Sequence, residues 1–246
     1  MTTALAARPR TSPLDRAVAM RLAATEYDRV AALLAALAPH DWDKPTSCPG
    51  WDVRAMATHV LGMAEMSASM REGLRQARAA QARDGVFIDE LTALQVDERA
   101  GLTPAAIVAR FAEVAPKAAK ARRRMPRFVR ARRMPGTQHV NGRDETWTLG
   151  FLSDVIMTRD PWMHRTDLAR ATGAALELTA EHDGVLVDDV VREWFDRVGR
   201  VVSLRLTGPA GGVWGDGEPE VELDAVEFCR ALAGRGVAPL GTEVPF

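Results

Sequence analysis

Apolar positions recur at helical spacing through most of the first 170 residues. Val30, Leu33, Leu34 and Leu37 form one stripe, which Pro39 closes. Upstream, Ser12, Pro13 and Asp15 make a helix start: a capping hydroxyl, a proline suited to the first turn and a carboxylate that complements the positive helix end. Pro45, Pro49 and Gly50 break HDWDKPTSCPGW into a loop. Asp52 then caps a second helix, predicted from Val53 to near Ala82, with Val53, Met56, Val60, Met63, Ser67 and Met70 on its buried face. FIDELTALQVDERAG, within residues 84–101, reads as a short helix that crosses or lengthens a bundle. Thr103 and Pro104 start the next helix, whose apolar face carries Ile107, Phe111 and Val114 and whose Pro116 predicts a kink. MPGTQHVNGRDET reads as a loop. A fourth bundle helix runs from Thr146 or Thr148 to Thr172, where Gly173 stops it.

Past Gly173 the pattern changes. Thr179 caps a helix through Val198 with Val187, Val190, Val191, Trp194 and Phe195 as its apolar content. VVSLRLT alternates like a strand, GPAGG turns, and GVW and EVELD read as two more short strands. Asp224 and Glu227 form a capping box for the last helix, which Gly234 ends. The division expected is a mobile tail over residues 1–12, a helical bundle over 13–173 and a small C-terminal α/β domain over 174–246. The fold class is α+β, mainly α, with a short antiparallel sheet.

Polar residues interrupt this pattern where it asks for apolar ones. Asp160, His164 and Asp167 continue the stripe of Leu149, Leu152 and Ile156. A buried polar group needs a partner, and a buried charge needs a counter-charge or a metal. His59 points inward between Met63 and Met66, with Gly62 leaving space beside it. Taken alone, His59 reads as a core histidine with a hydrogen-bonded ring. Taken with Asp160 and His164, one helical turn apart, it completes a three-ligand divalent-metal site with an open fourth position, the pattern of a catalytic zinc. Asp167 either orients the second nitrogen of His164 or pairs with Arg165, Arg170 or Arg54. Pro161 bends the helix between the two ligands. At the open position a bound thiol becomes thiolate or a bound water becomes hydroxide. Cys48 lies in a loop and Cys229 on an apolar face with Val226 and Leu232, so a reacting thiol has to come as a small cosubstrate.

Composition narrows the partners. The chain has 246 residues, 47% hydrophobic, enough for a sizeable core. Lys+Arg 32 nearly cancels Asp+Glu 33, so no overall field favours nucleic acid or anionic membrane. The basic run Lys117 to Arg133 has one aromatic, Phe128, and is interrupted by Pro126; a solvated helix end accounts for it better than a nucleic-acid surface. Two cysteines without a spacing motif, no apolar run of membrane-spanning length and no signal-peptide core predict a reducing, cytoplasmic protein, a monomer or homodimer acting on small molecules.

Three segments, in order, resemble one family. DWDKPTSCPGWDVRAMATHVLG, RDPWMHRTDLARATG and VVSLRLTGPAGGVWGDGEPEVELDAVEFCRALAGR are similar to the mycothiol-dependent maleylpyruvate isomerases, over about Arg16 to Arg235. The resemblance implies a DinB-like four-helix bundle followed by a small α/β domain related to sterol-carrier-like folds. It implies zinc held by His59, Asp160 and His164, with Asp160 in place of the family's usual glutamate. It implies mycothiol as thiol cosubstrate, adding to and leaving the cis double bond of maleylpyruvate to give fumarylpyruvate. Arg230 or Arg235 would then clamp substrate carboxylates, unless they are ordinary arginines near a helix C-terminus. A metal-dependent hydrolase, or a non-catalytic metal-binding or regulatory bundle, are the alternatives.

Overall fold

A computed structural model describes residues 8–246. Two compact units emerge, interleaved along the chain: Ala17–Met125 with Met157–Glu177, and residues 8–16 with Pro126–Ile156 and Leu178–Phe246. The expected cut at Gly173 was sequential; compactness instead groups the middle of the chain with its C-terminal part.

The first unit is the helical bundle. It contains α1 (Arg16–Ala36, apart from its first residue), α2 (Val53–Ala68), α3 (Met70–Gln81), α4 (Phe87–Asp97), α5 (Pro104–Arg124) and α6 (Met157–Thr172). α2 is its axis, packed against α3, α4, α5 and α6. Tyr27, Val30 and Leu34 of α1, Val53, Met56 and Val60 of α2, Ile107 and Phe111 of α5 and Leu168 of α6 share one buried cluster. Caps fall where residue chemistry put them: Asp52 accepts from Ala55 N and Thr103 from Ala106 N, and Gly173 follows α6 with φ +76°. α1 begins at Arg16, later than the Ser12–Pro13 signal.

Local reasons overturn two expectations here, for the Val53–Ala82 helix and for Gly62. The helix predicted from Val53 to Ala82 is broken at Ser69, which adopts extended φ/ψ of −140°, 120° and caps α3 by accepting from Glu72 N. Met70, expected inside, is therefore 84% exposed. α5 runs through Pro116 to Arg124 as one helix. Gly62 does not leave room for His59. It lets α4 approach: a Cβ there would lie 2.7 Å from Gln95 Cβ, and Gln95, Gln76 and the Gly62 carbonyl form a buried amide chain.

The second unit carries the small sheets. Gln138–Val140 (β1) and Arg143–Glu145 (β2) form an antiparallel hairpin in the segment expected to be loop. Its turn, Asn141–Gly142, has positive φ at both residues, 51° and 71°, as a type I′ turn demands. Residues 1–7 of the expected tail lie outside the described residues. Within the rest, Arg10 is held by backbone bonds to Thr146 and Thr148 and by its guanidinium on Glu145. Thr148 caps Leu149–Phe151, and Leu152–Ile156 follows as a wide π turn. The basic run is not uniformly solvated. A break at Met125–Pro126 separates α5 from a single helical turn, Arg127–Arg130, and Arg122 is buried.

Thr179 caps the turn Ala180–Gly184 that leads into α7 (Val185–Val198), which ends at Gly199. β3 (Leu204–Thr207), β4 (Gly212–Trp214) and β5 (Val221–Asp224) form a sheet of order β4-β3-β5. The sheet is mixed, not purely antiparallel: β3 pairs antiparallel with β4 and parallel with β5. β4 returns along one edge, so β5 takes the other and runs with β3. Asp224 caps α8 (Ala225–Arg230) by accepting from Val226 N and Glu227 N. Among the described residues no helix is long and apolar enough to cross a membrane.

Candidate metal centre

The site lies within the bundle unit, between α2 and the first half of α6. His59 sits two turns into α2, oriented by the Asp52 cap and a core-facing stripe; it is 3% exposed. Asp160 and His164 lie one turn apart on α6. Pro161 has no N–H, so the Met157 carbonyl lacks the intrahelical donor it would otherwise take. Arg122 supplies one instead: Nη1 donates to Met157 O at 2.9 Å and Nη2 to Thr158 Oγ1 at 2.6 Å. A buried guanidinium thus secures the turn that carries Asp160.

His59 Nε2 and His164 Nε2 stand 3.3 and 3.4 Å from the same atom, Asp160 Oδ1. The imidazole centroids are 5.1 Å apart with planes at 85°. One donor atom from each residue falls inside a group spanning 4.8 Å. Around a tetrahedral ion with bonds of about 2.0–2.1 Å, neighbouring donors are separated by about 3.3 Å. Both measured separations match that edge. Asp160 Oδ2 and the Nδ1 atoms of His59 and His164 are buried without a hydrogen-bond partner. A buried carboxylate with an unused oxygen beside two imidazoles is a donor set that a divalent cation fits.

Electrostatics point the same way. Burial alone would raise the Asp160 carboxyl, but His164 and His59 outweigh it by charge and hydrogen bonding and hold it well below the usual carboxylate range. Burial also opposes a charged His164; the charge of the Asp160 carboxylate, helped by the nearby Asp167 and Cys48, outweighs it and raises that imidazole well above its ordinary value. Negative charge concentrated between two rings attracts either a proton or a metal ion.

Asp167 is fully buried, with Oδ2 3.7 Å from His164 Nδ1. Two of its suggested alternative partners are engaged elsewhere, Arg165 with Glu26 and Arg54 with Asp43. Arg230 and Arg235 belong to the other unit. Arg230 is buried near Glu227, and Arg235 donates to Ala233 O at 2.9 Å.

Two residues at the site went unassigned in the sequence reading. Trp51 lies with its ring 5.2 Å from His59 and 5.9 Å from His164, centroid to centroid. The half-buried Cys48 places Sγ 4.0 Å from Asp167 Oδ2. Both are presented by a tight loop: Thr46 N and Oγ1 donate to Trp51 O, Trp51 N donates to Cys48 O, and Gly50 takes φ +79°. The signal was available, since a Cys-Pro-Gly-Trp turn directly precedes the cap of the helix that carries His59.

The sequence model for the mycothiol maleylpyruvate isomerase N-terminal domain matches residues 23–169, well over half the chain. No curated protein matches by sequence. The crystal structure of the mycothiol-dependent maleylpyruvate isomerase is similar, with 16% identity and a TM-score of 0.58, over 96% of this chain and 98% of that one. So is that of a histidine-to-alanine mutant of the mycothiol-dependent maleylpyruvate isomerase, with 15% identity and a TM-score of 0.58, over 92% of each chain. At such identities the likeness is one of fold, and it agrees with the DinB-like bundle the resemblance implied.

Proposed function

The chain belongs to the mycothiol maleylpyruvate isomerase family, and we propose from that membership that it is a metal- and mycothiol-dependent enzyme, a cis–trans isomerase of a maleylpyruvate-like substrate or a thiol transferase. One observation carries the reading. Two imidazoles and a carboxylate from two helices converge, each imidazole nitrogen at the tetrahedral edge from the same carboxylate oxygen, and all three residues lie inside the family-matched span.

His59, Asp160 and His164 would hold the ion, with zinc the best match to two nitrogens and one oxygen. A cation there supplies Lewis acidity that keeps a bound thiol as thiolate at neutral pH. The remaining roles fall to the protein. Asp167 Oδ2, 3.7 Å from His164 Nδ1, would orient the ring once Nδ1–H turns toward it, which would also make the other nitrogen a better donor. Trp51 lies against both rings and keeps water from that side. Arg230 or Arg235 serves as a cationic clamp for substrate carboxylates. In this reading residues 13–173 carry the metal, 174–246 carry the clamp, and the enzyme works in the cytoplasm on small molecules.

The test is elemental analysis of the purified protein beside His59→Ala and His164→Ala, with maleylpyruvate turnover measured with and without mycothiol. Metal lost in both variants, and turnover that needs both metal and thiol, are expected. Metal retained in both variants overturns the site. Metal-dependent turnover of a hydrolysable substrate without thiol replaces the isomerase reading with a hydrolase.

A further inference from the structure

The His164 ring faces a carboxylate at each nitrogen. Nε2 lies 3.4 Å from Asp160 Oδ1 and Nδ1 lies 3.7 Å from Asp167 Oδ2. His164 is 7% exposed, and its Nδ1 is buried without a hydrogen bond. Asp167 Oδ2 also lies 4.0 Å from Cys48 Sγ. Sulfur, imidazole nitrogen and carboxylate oxygen fall within 4.8 Å of one another, a second convergent donor set that shares His164 with the first and adds Cys48, which the proposed isomerase chemistry does not use.

We propose that Cys48, His164 and Asp167 form an alternative seat for a soft, thiophilic divalent cation such as Cd2+, on the opposite side of the His164 ring from the first. It rests on the preceding reading only in sharing His164 and Asp167. A tetrahedral ion with a metal–sulfur bond of about 2.3 Å and metal–nitrogen or –oxygen bonds of about 2.0–2.1 Å needs donor separations of about 3.5 Å and 3.3 Å. The present 4.0 and 3.7 Å exceed those of a zinc-sized ion by roughly 0.4–0.5 Å, so a larger soft ion is seated with at most a shift of that size. The sulfur's part of that shift is available to a cysteine on a half-buried turn, which a χ1 adjustment moves without disturbing a helix.

The two seats exclude each other because a neutral imidazole has one lone pair in its plane and one N–H. With Nε2 on a metal, Nδ1–H faces Asp167. With Nδ1 on a metal, Nε2–H faces Asp160. Each carboxylate is a ligand in one state and a proton acceptor in the other. On binding in the second seat Cys48 gives its proton to solvent and Sγ forms the bond to the ion. Thiolate selects soft ions, so such an ion is held on the protein's own sulfur and away from the seat proposed for the thiol cosubstrate.

The experiment titrates the metal-free full-length chain with Cd2+, reading heat and the ultraviolet sulfur-to-cadmium charge-transfer absorption. One ion per chain with that absorption is expected. In Cys48→Ser, and in Cys48→Ala as an independent variant, the absorption disappears and the cadmium Kd rises at least about tenfold. His59→Ala keeps the absorption and a cadmium Kd near that of the wild type. The proposal is overturned by absence of the absorption in the wild type, by its survival in the Cys48 variants, or by two ions bound per chain. Failure of the first seat is read separately, as an unchanged zinc Kd in His59→Ala.

Discussion

Asp160→Glu restores the longer carboxylate that the family resemblance leads one to expect, and the geometry predicts that it weakens metal binding. Asp160 Oδ1 already sits 3.3 and 3.4 Å from the two Nε2 atoms, at the tetrahedral edge of about 3.3 Å. An extra methylene adds roughly 1.5 Å of reach. The surroundings do not absorb it: His59 and His164 are 3% and 7% exposed, and Pro161 fixes the backbone beside the carboxylate. Either the glutamate folds into a strained rotamer or the imidazoles are pushed apart. Inserting a methylene into a packed site costs about 1–3 kcal/mol. If that cost falls on the bound state, the zinc Kd rises roughly 5- to 150-fold. Competition against a chromophoric chelator at fixed pH measures it, with Asp160→Asn as the control for loss of charge. A glutamate variant that binds zinc as tightly as the wild type, or more tightly, would refute the argument that the short carboxylate is already at ligand distance.

Zinc affinity should rise with pH through neutrality. His164 holds its proton above its ordinary pKa while Asp160 stays ionised, so binding must displace one proton; Kd should fall about tenfold per pH unit until the raised pKa is passed, and a flat profile over that range contradicts it. Arg122→Met leaves the Met157 carbonyl without the donor that Pro161 cannot replace, and should cost about 1–3 kcal/mol in urea unfolding; an unchanged midpoint and slope would mean the bond carries nothing. Gly62→Ala gains about 1 kcal/mol of helix propensity but places a Cβ 2.7 Å from Gln95 Cβ. Overpacking of about 1–3 kcal/mol should win, so a stabilised variant would show that α4 gives way.

The bundle was legible because its helices are amphipathic and well punctuated. Thr103, Asp52, Thr179 and Asp224 all cap where side-chain chemistry placed them. The errors have equally local causes. Ser69 sits in a sequence whose hydrophobic period continues past it, so only its capping bond to Glu72 N reveals the break. Asn141–Gly142 is a strong hairpin signal, but its flanks, QHV and RDE, lack the apolar alternation that marks strands. Arg122 looked like one cation among many in a basic run. Its burial follows from a carbonyl left open by a proline on another helix, which no count of charges along the chain contains.

The same distinction separates the parts of the site. Asp160 and His164 were readable because an i, i+4 pair on a helix shares a face whatever the helix packs against. His59 was readable as inward-facing, but its pairing with α6 depends on which face of α2 that helix covers, and only the fold supplies it. Cys48 and Trp51 lie on a loop, where no period ties sequence position to direction. Hydrogen bonds from Thr46 to Trp51 and from Trp51 to Cys48 turn the two side chains toward the imidazoles. Position in a loop was the ground for setting Cys48 aside, yet a loop braced against the N-terminus of a ligand-bearing helix is a rigid part of the site. The metal-binding arithmetic therefore has to be done with five side chains around His164, not three.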